Sequence, residues 1–164
     1  MKIVSTTIAI SLAALFWTST LLAWQGKVSE VIDARTLLVD TGEREVQVSL
    51  YGLGVPEKNE PFGQEALGFL MERALGRLVD VQRQSSTGSQ IPAVVTIQES
   101  DLNLNEALLT HGLAWVWEAY CEKATLCGRW ERLQGQAKAN SQGFWPLIPE
   151  NRPPWKWLKE QGRQ

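Results

Sequence analysis

The chain has 164 residues, 44% of them apolar and 21% charged, with a formal net charge of −2. That fits one compact soluble domain with a real core. It excludes a coiled coil, a solenoid or a low-complexity array, because no heptads, no period of 20–50 residues and no biased tract occur.

In chain order, residues 1–23 stand apart. Lys2 is the only charge before Lys27, and an apolar run from Ile8 to Trp17 leads to Leu21-Leu22-Ala23. A basic start, an apolar middle and a small residue at the end predict a secretory leader cleaved near Ala23. The rival is an uncleaved inner-membrane anchor, since Ile3–Ala23 is about long enough to span a bilayer. No other stretch has that length, so any membrane attachment runs through the leader. The expected location is periplasmic or secreted.

Residues 26–33 and 36–40 read as β-strands rich in branched and aliphatic residues, and Thr41-Gly42-Glu43-Arg44 as a turn. Val46, Val48 and Leu50 alternate with Gln47 and Ser49, the period of a half-buried strand. Residues 52–61 hold two glycines and two prolines and read as a loop. Ala66, Phe69, Leu70 and Ala74 form the stripe of an amphipathic helix that stops at Gly76. Leu78–Val81 and Ala93–Ile97 read as further strands across a polar loop. Asn103 or Asn105 caps a short helix ending at Gly112, and Trp115–Trp117 is a short extended segment.

Cys121 and Cys127 are the two cysteines, and in an exported chain such a pair reads as a disulfide. Zinc is not expected, because His111 is the only histidine and there is no third cysteine. A third helix runs over 126–140 with Trp130, Leu133 and Ala137 on one stripe. The Pro- and Trp-rich end reads as an irregular wrap. The domain division is 1–23 leader, 24–145 folded domain and 146–164 tail. Three strands, a helix, two strands and then helices suit an α+β fold: a five-stranded barrel of the oligonucleotide/oligosaccharide-binding (OB) type with about three helices around it.

Charge is uneven. Residues 24–120 carry 7 Lys/Arg and 14 Asp/Glu, whereas residues 121–164 carry 8 Lys/Arg and 4 Asp/Glu. A nucleic-acid binder usually presents a basic face, so only the C-terminal part is suited to phosphate. Both halves read equally well as solvated surface.

SLYGLGVPE (49–57), VIDART (31–36), FGQEA (62–66) and LNEALLTHGLAWVW (104–117) together resemble the thermonuclease (staphylococcal nuclease-like) family, whose own stretches read close to RLLGIDTPE, VxDGDT, YGxEA and VNEALVxxGLAxV. GRWERLQGQAKANSQGFW (128–145) resembles that family's last helix, and YCEKATLC with the ending PPWKW resembles an exported bacterial branch. The likeness covers about residues 25–158. It implies the OB-type barrel and, in the family at large, calcium-dependent hydrolysis of phosphodiester bonds in DNA or RNA. A hard cation is held there by carboxylates and a backbone carbonyl, a glutamate activates water, and two arginines meet the phosphate charge.

Carried over position by position, most of that site is substituted. Arg35 replaces a metal carboxylate, Gly54 replaces the other, and Val55 replaces the carbonyl-donating threonine. Ser49 and Pro92 stand at the two arginine positions. Glu57 alone matches, at the catalytic glutamate. Each charge-stabilising donor lost commonly costs about 10²–10³ in rate. The resemblance therefore implies a degenerate site without a metal or other cofactor, in a binding or scaffold module. Its ligand is left open among a protein, a nucleic acid and a cell-envelope component.

The alternative is a divergent calcium-dependent nuclease, with Glu57 as base and Asp33 or Asp40 helping to hold calcium. Aromatic rings on a barrel can also stack on bases or sugars. Trp115, Trp130 and Trp145 read as core. Trp155 and Trp157, beside Lys156 and Lys159, are the candidates for binding, and they can equally dock the tail.

Overall fold

The computed structural model describes residues 23–85, 90–149 and 154–162. Of the leader 1–23, residues 1–22 lie outside the described residues. So do Ser86–Ser89 of the polar loop.

Strands β1 (Ala23–Val31), β2 (Thr36–Asp40) and β3 (Glu45–Leu50) form an antiparallel meander. β5 (Leu78–Arg83) pairs with β1, β6 (Ile91–Ile97) pairs with β5, and β6 closes onto β3 in parallel. The result is the closed five-stranded mixed barrel expected from the strand order. Closure removes the unpaired edges that an open sheet would expose. Its interior is filled by alternating residues such as Val28, Leu37, Val39, Val48, Val79 and Val95, all fully buried.

Short strands β4 (Leu53–Gly54) and β8 (Trp115–Val116) pair outside the barrel. The two-residue strand β7 (Leu102–Asn103) leads directly into a helix. Helix α1 (Gly63–Ala74) buries Ala66, Leu70 and Ala74, the expected stripe. Helix α2 (Leu104–Thr110) is capped by Asn103, whose side chain accepts from Glu106 N–H. Asn105 sits inside the helix instead, wholly buried. Its Oδ1 accepts from Val95 N–H and its Nδ2 donates to Tyr51 O and Ala93 O. Helix α3 (Ala124–Ala139) buries Trp130 and Ala137.

Two expectations are corrected. The first strand begins at Ala23 and ends at Val31, not at residue 33. The Asp33 carboxylate accepts the Arg35 backbone N–H at 2.8 Å, and that local side-chain bond turns the chain out of the strand. In the C-terminal segment, of which residues 150–153 and 163–164 lie outside the described residues, residues 154–161 are not an irregular wrap. Helix α4 (Pro154–Gln161) opens on a proline, and a proline at the first helical position loses no hydrogen bond. Leu158 of α4 is fully buried in a second core with Trp115, Ala137, Phe144 and Trp145. Trp115, Trp130 and Trp145 are core residues, as expected. Among the described residues, no helix is long and apolar enough to cross a membrane.

Candidate functional site

A cavity of about 670 Å³ opens where the β2 and β3 ends meet the loop after β4. Asp33, Arg35, Ser49, Glu57 and Pro92 all line it. Residues far apart in sequence arrive there through the barrel register. Ser49 pairs with Thr36 on one side and with Pro92 on the other. The positions at which the resemblance expects two arginines are thus neighbours across one ladder, and neither side chain carries a charge.

Arg35 is half-buried and lines the cavity. Its backbone carbonyl accepts from Leu50 N–H at 2.8 Å, which fixes the turn against β3. Its side chain reaches inward, and Nη1 donates to Leu53 O at 3.2 Å. No carboxylate among the described residues lies within ion-pair distance of it; the described ion pairs are Arg73–Glu72, Arg77–Glu99 and Arg129–Glu106.

Gly54 is buried and faces Trp115 across the β4–β8 ladder. A Cβ at residue 54 would overlap the indole ring at Cε2 and Nε1. The space beside this backbone is therefore filled by a tryptophan, and a carboxylate cannot enter without moving it. The Trp115 indole N–H is buried and has no hydrogen-bond partner among the described residues.

Glu57 is exposed at the rim. Its backbone N–H donates to Glu60 Oε2 at 2.8 Å, and its carbonyl accepts from Glu60 N–H at 2.9 Å. This loop runs so close to the start of α1 that a Cβ on Gly63 would collide with Glu57 O, so residue 63 must be glycine for the loop to hold Glu57 where it is.

Asp33 and Glu57 are the carboxylates of the cavity, and Arg35 and Lys58 its cations. Asp40 is not part of it. Asp40 ends β2, roughly 16 Å from Arg35 at the ordinary rise per residue, where its carboxylate accepts from Gly42 N–H and it borders a shallow depression with Lys27. That removes Asp40 as a metal ligand beside Glu57. Calcium wants 6–8 oxygens, and no group of three or more His, Cys, Asp or Glu suited to a metal occurs among the described residues. With a guanidinium in the lining, the residues present do not fit a calcium ion.

One wall of the cavity is aromatic, and the sequence reading did not place it there. Trp117 and Tyr120 line it, with ring centroids 5.4 Å apart. Trp155 of α4 stacks on Trp117 at 6.0 Å with planes 12° apart. Trp157 is half-buried against the second core, while Lys156 and Lys159 are exposed. Cys121 and Cys127 form the disulfide. Cys121 packs against Gly52, and Tyr51 Oη accepts from Glu122 N–H at 2.7 Å, so the bridged loop is pinned beside the cavity. The signal available in the sequence was the nearness of Trp117 and Tyr120 to Cys121; their direction depended on the β4–β8 pairing.

The model of the family described as staphylococcal nuclease homologue matches residues 35–146. The chain is similar to Protein ParB of Escherichia coli, 29% identical over 153 residues, covering 87% of this chain and 85% of the relative. It is similar to a protein of Escherichia coli O157:H7 named "Uncharacterized endonuclease", 26% identical over 134 residues, covering 80% of this chain and 83% of the relative. The probable staphylococcal-like nuclease CAN3 of Oryza sativa subsp. japonica is 29% identical over 121 residues, covering 72% of this chain and 30% of that longer protein.

Proposed function

The chain belongs to the staphylococcal nuclease family, and from that premise we propose that it is an exported member that binds a ligand without metal and no longer hydrolyses phosphodiesters. The observation that carries this reading is Arg35: a guanidinium anchored on Leu53 O lines the cavity, at the position where the family resemblance expects a metal carboxylate. Gly54 blocked by Trp115, and uncharged Ser49 and Pro92, point the same way. Removing several charge-stabilising groups together leaves little of a reaction in which each is worth about 10²–10³ in rate. Export is supported by the Cys121–Cys127 disulfide and by the leader read from the sequence, in a periplasmic or secreted setting.

A second reading keeps the chemistry. Relatives are named endonucleases, and Glu57 and Asp33 do share the cavity. It requires a metal held by Asp33 with Glu57 as base. Incubation of the protein with single-stranded DNA and RNA, in calcium and in chelator, separates the two. The expected result is no cleavage above background, beside an active nuclease of the family as reference. Calcium-dependent cleavage that disappears in Glu57→Gln would establish the second reading.

A further inference from the structure

Arg35 donates one described hydrogen bond, to a neutral carbonyl, and has no carboxylate partner among the described residues. A half-buried guanidinium has given up part of its hydration, and an opposite charge is what compensates such a group. Its unused N–H groups belong to the planar fork that matches a carboxylate or phosphate with two parallel bonds. Beside its polar and charged groups the cavity also presents apolar side chains. Ile32 is 42% exposed and lines it, as do Val55, Leu67, Pro92 and Trp117. Its volume, about 670 Å³, is that of a small-ligand site.

We propose that this cavity is a metal-independent site for an organic carboxylate joined to an apolar or aromatic group, with the Arg35 fork on the carboxylate and the Ile32–Trp117 walls on the apolar part. The inference rests on the metal-free reading of the same cavity and names its ligand class. Charge selects carboxylate over a phosphate chain. A polynucleotide needs several cations along its path, whereas the cavity pairs two cations with two rim carboxylates, Asp33 and Glu57. The surrounding residues 24–120 hold twice as many acidic as basic groups, 14 against 7. A single monoanion fits one guanidinium in that setting, and a polyanion meets repulsion. The same chemistry is offered by a free carboxylic acid and by the C-terminus of a peptide.

The test is calorimetric titration of the disulfide-intact protein in chelator with N-acetyl-phenylalanine, an acetylated tripeptide ending in phenylalanine, the C-terminal amides of both, and a mononucleotide. The acids are expected to bind and the amides to bind at least about ten-fold more weakly, the loss of a charge-assisted fork. Tighter binding of the tripeptide identifies a peptide terminus, and equal binding a free acid. Arg35→Gln removes the charge and the fork but keeps a polar amide; it is expected to lose the acids about ten-fold while its unfolding temperature stays near that of the wild type. Arg35→Lys, which keeps charge without the fork, is expected to fall between. Equal binding of acid and amide to the wild-type protein overturns the inference whatever the variants do. So does binding of a mononucleotide but of neither acid, although that result leaves the metal-free reading standing. Calcium-dependent cleavage removes the reading itself.

Discussion

Asn105 and Gly54 show how much of the site is decided by single atoms. Asn105 is fully buried, and its three hydrogen bonds tie α2 to β6 and to Tyr51 of the cavity lining. Asn105→Ala strands the Val95 N–H and the Tyr51 carbonyl, while the Ala93 carbonyl keeps the Tyr51 N–H as donor. The expected loss is about 3 kcal/mol, since each buried group left unsatisfied costs ~1–3 kcal/mol, and a denaturant melt reads it directly. At Gly54 the Trp115 ring fills the place of any side chain. Gly54→Asp is therefore expected to cost at least the 1–3 kcal/mol or so of overpacking. Combined with Trp115→Ala, which opens the space, the loss should be smaller than the sum of the two single losses by about 1 kcal/mol or more. Simple additivity in that cycle would mean that the ring does not guard the position. The substituted identities at 35, 49, 54 and 92 were legible in the sequence. The reason why residue 54 must stay small was not, because it lies in a two-residue ladder between segments some 60 residues apart.

The secondary-structure elements were legible where periodicity is strong. β2 and the buried stripes of α1 and α3 follow from alternation and helical spacing. The tail was misread because its prolines look like loop residues, although Pro154 occupies the one helical position that tolerates proline without cost. Docking of α4 rests on Leu158, which is fully buried, so Leu158→Ala is expected to cost about 2–5 kcal/mol and to loosen the Trp155–Trp117 stack, visible in near-ultraviolet circular dichroism. A stable variant with an unchanged aromatic spectrum would place the tail off the second core. The disulfide closes a short loop whose Cys121 packs on Gly52. Replacing both cysteines by serine is expected to lower stability by about 2 kcal/mol. The larger consequence should be at the cavity wall, since Trp117 and Tyr120 flank Cys121, and a shift in tryptophan emission measures it.

At the scale of the molecule, the barrel and the family could be read from the sequence because they reside in long motifs and in strand order. The arrangement of the site could not, since barrel closure alone sets Ser49 beside Pro92. The aromatic wall likewise needed the pairing of β4 with β8 and the docking of α4. What the whole fold then offers is a cavity with a fixed guanidinium, two rim carboxylates and an apolar wall, in place of a carboxylate cage for a hard cation. A ligand that binds only the native state raises the unfolding temperature by mass action, so calcium affinity can be read from thermal unfolding alone. The decisive measurement is the unfolding temperature in millimolar calcium against chelator, for the wild type and for Asp33→Asn. The account predicts no calcium-dependent shift in either protein. A rise in the wild type that vanishes in Asp33→Asn would mean that a calcium site persists beside Arg35, and would contradict it.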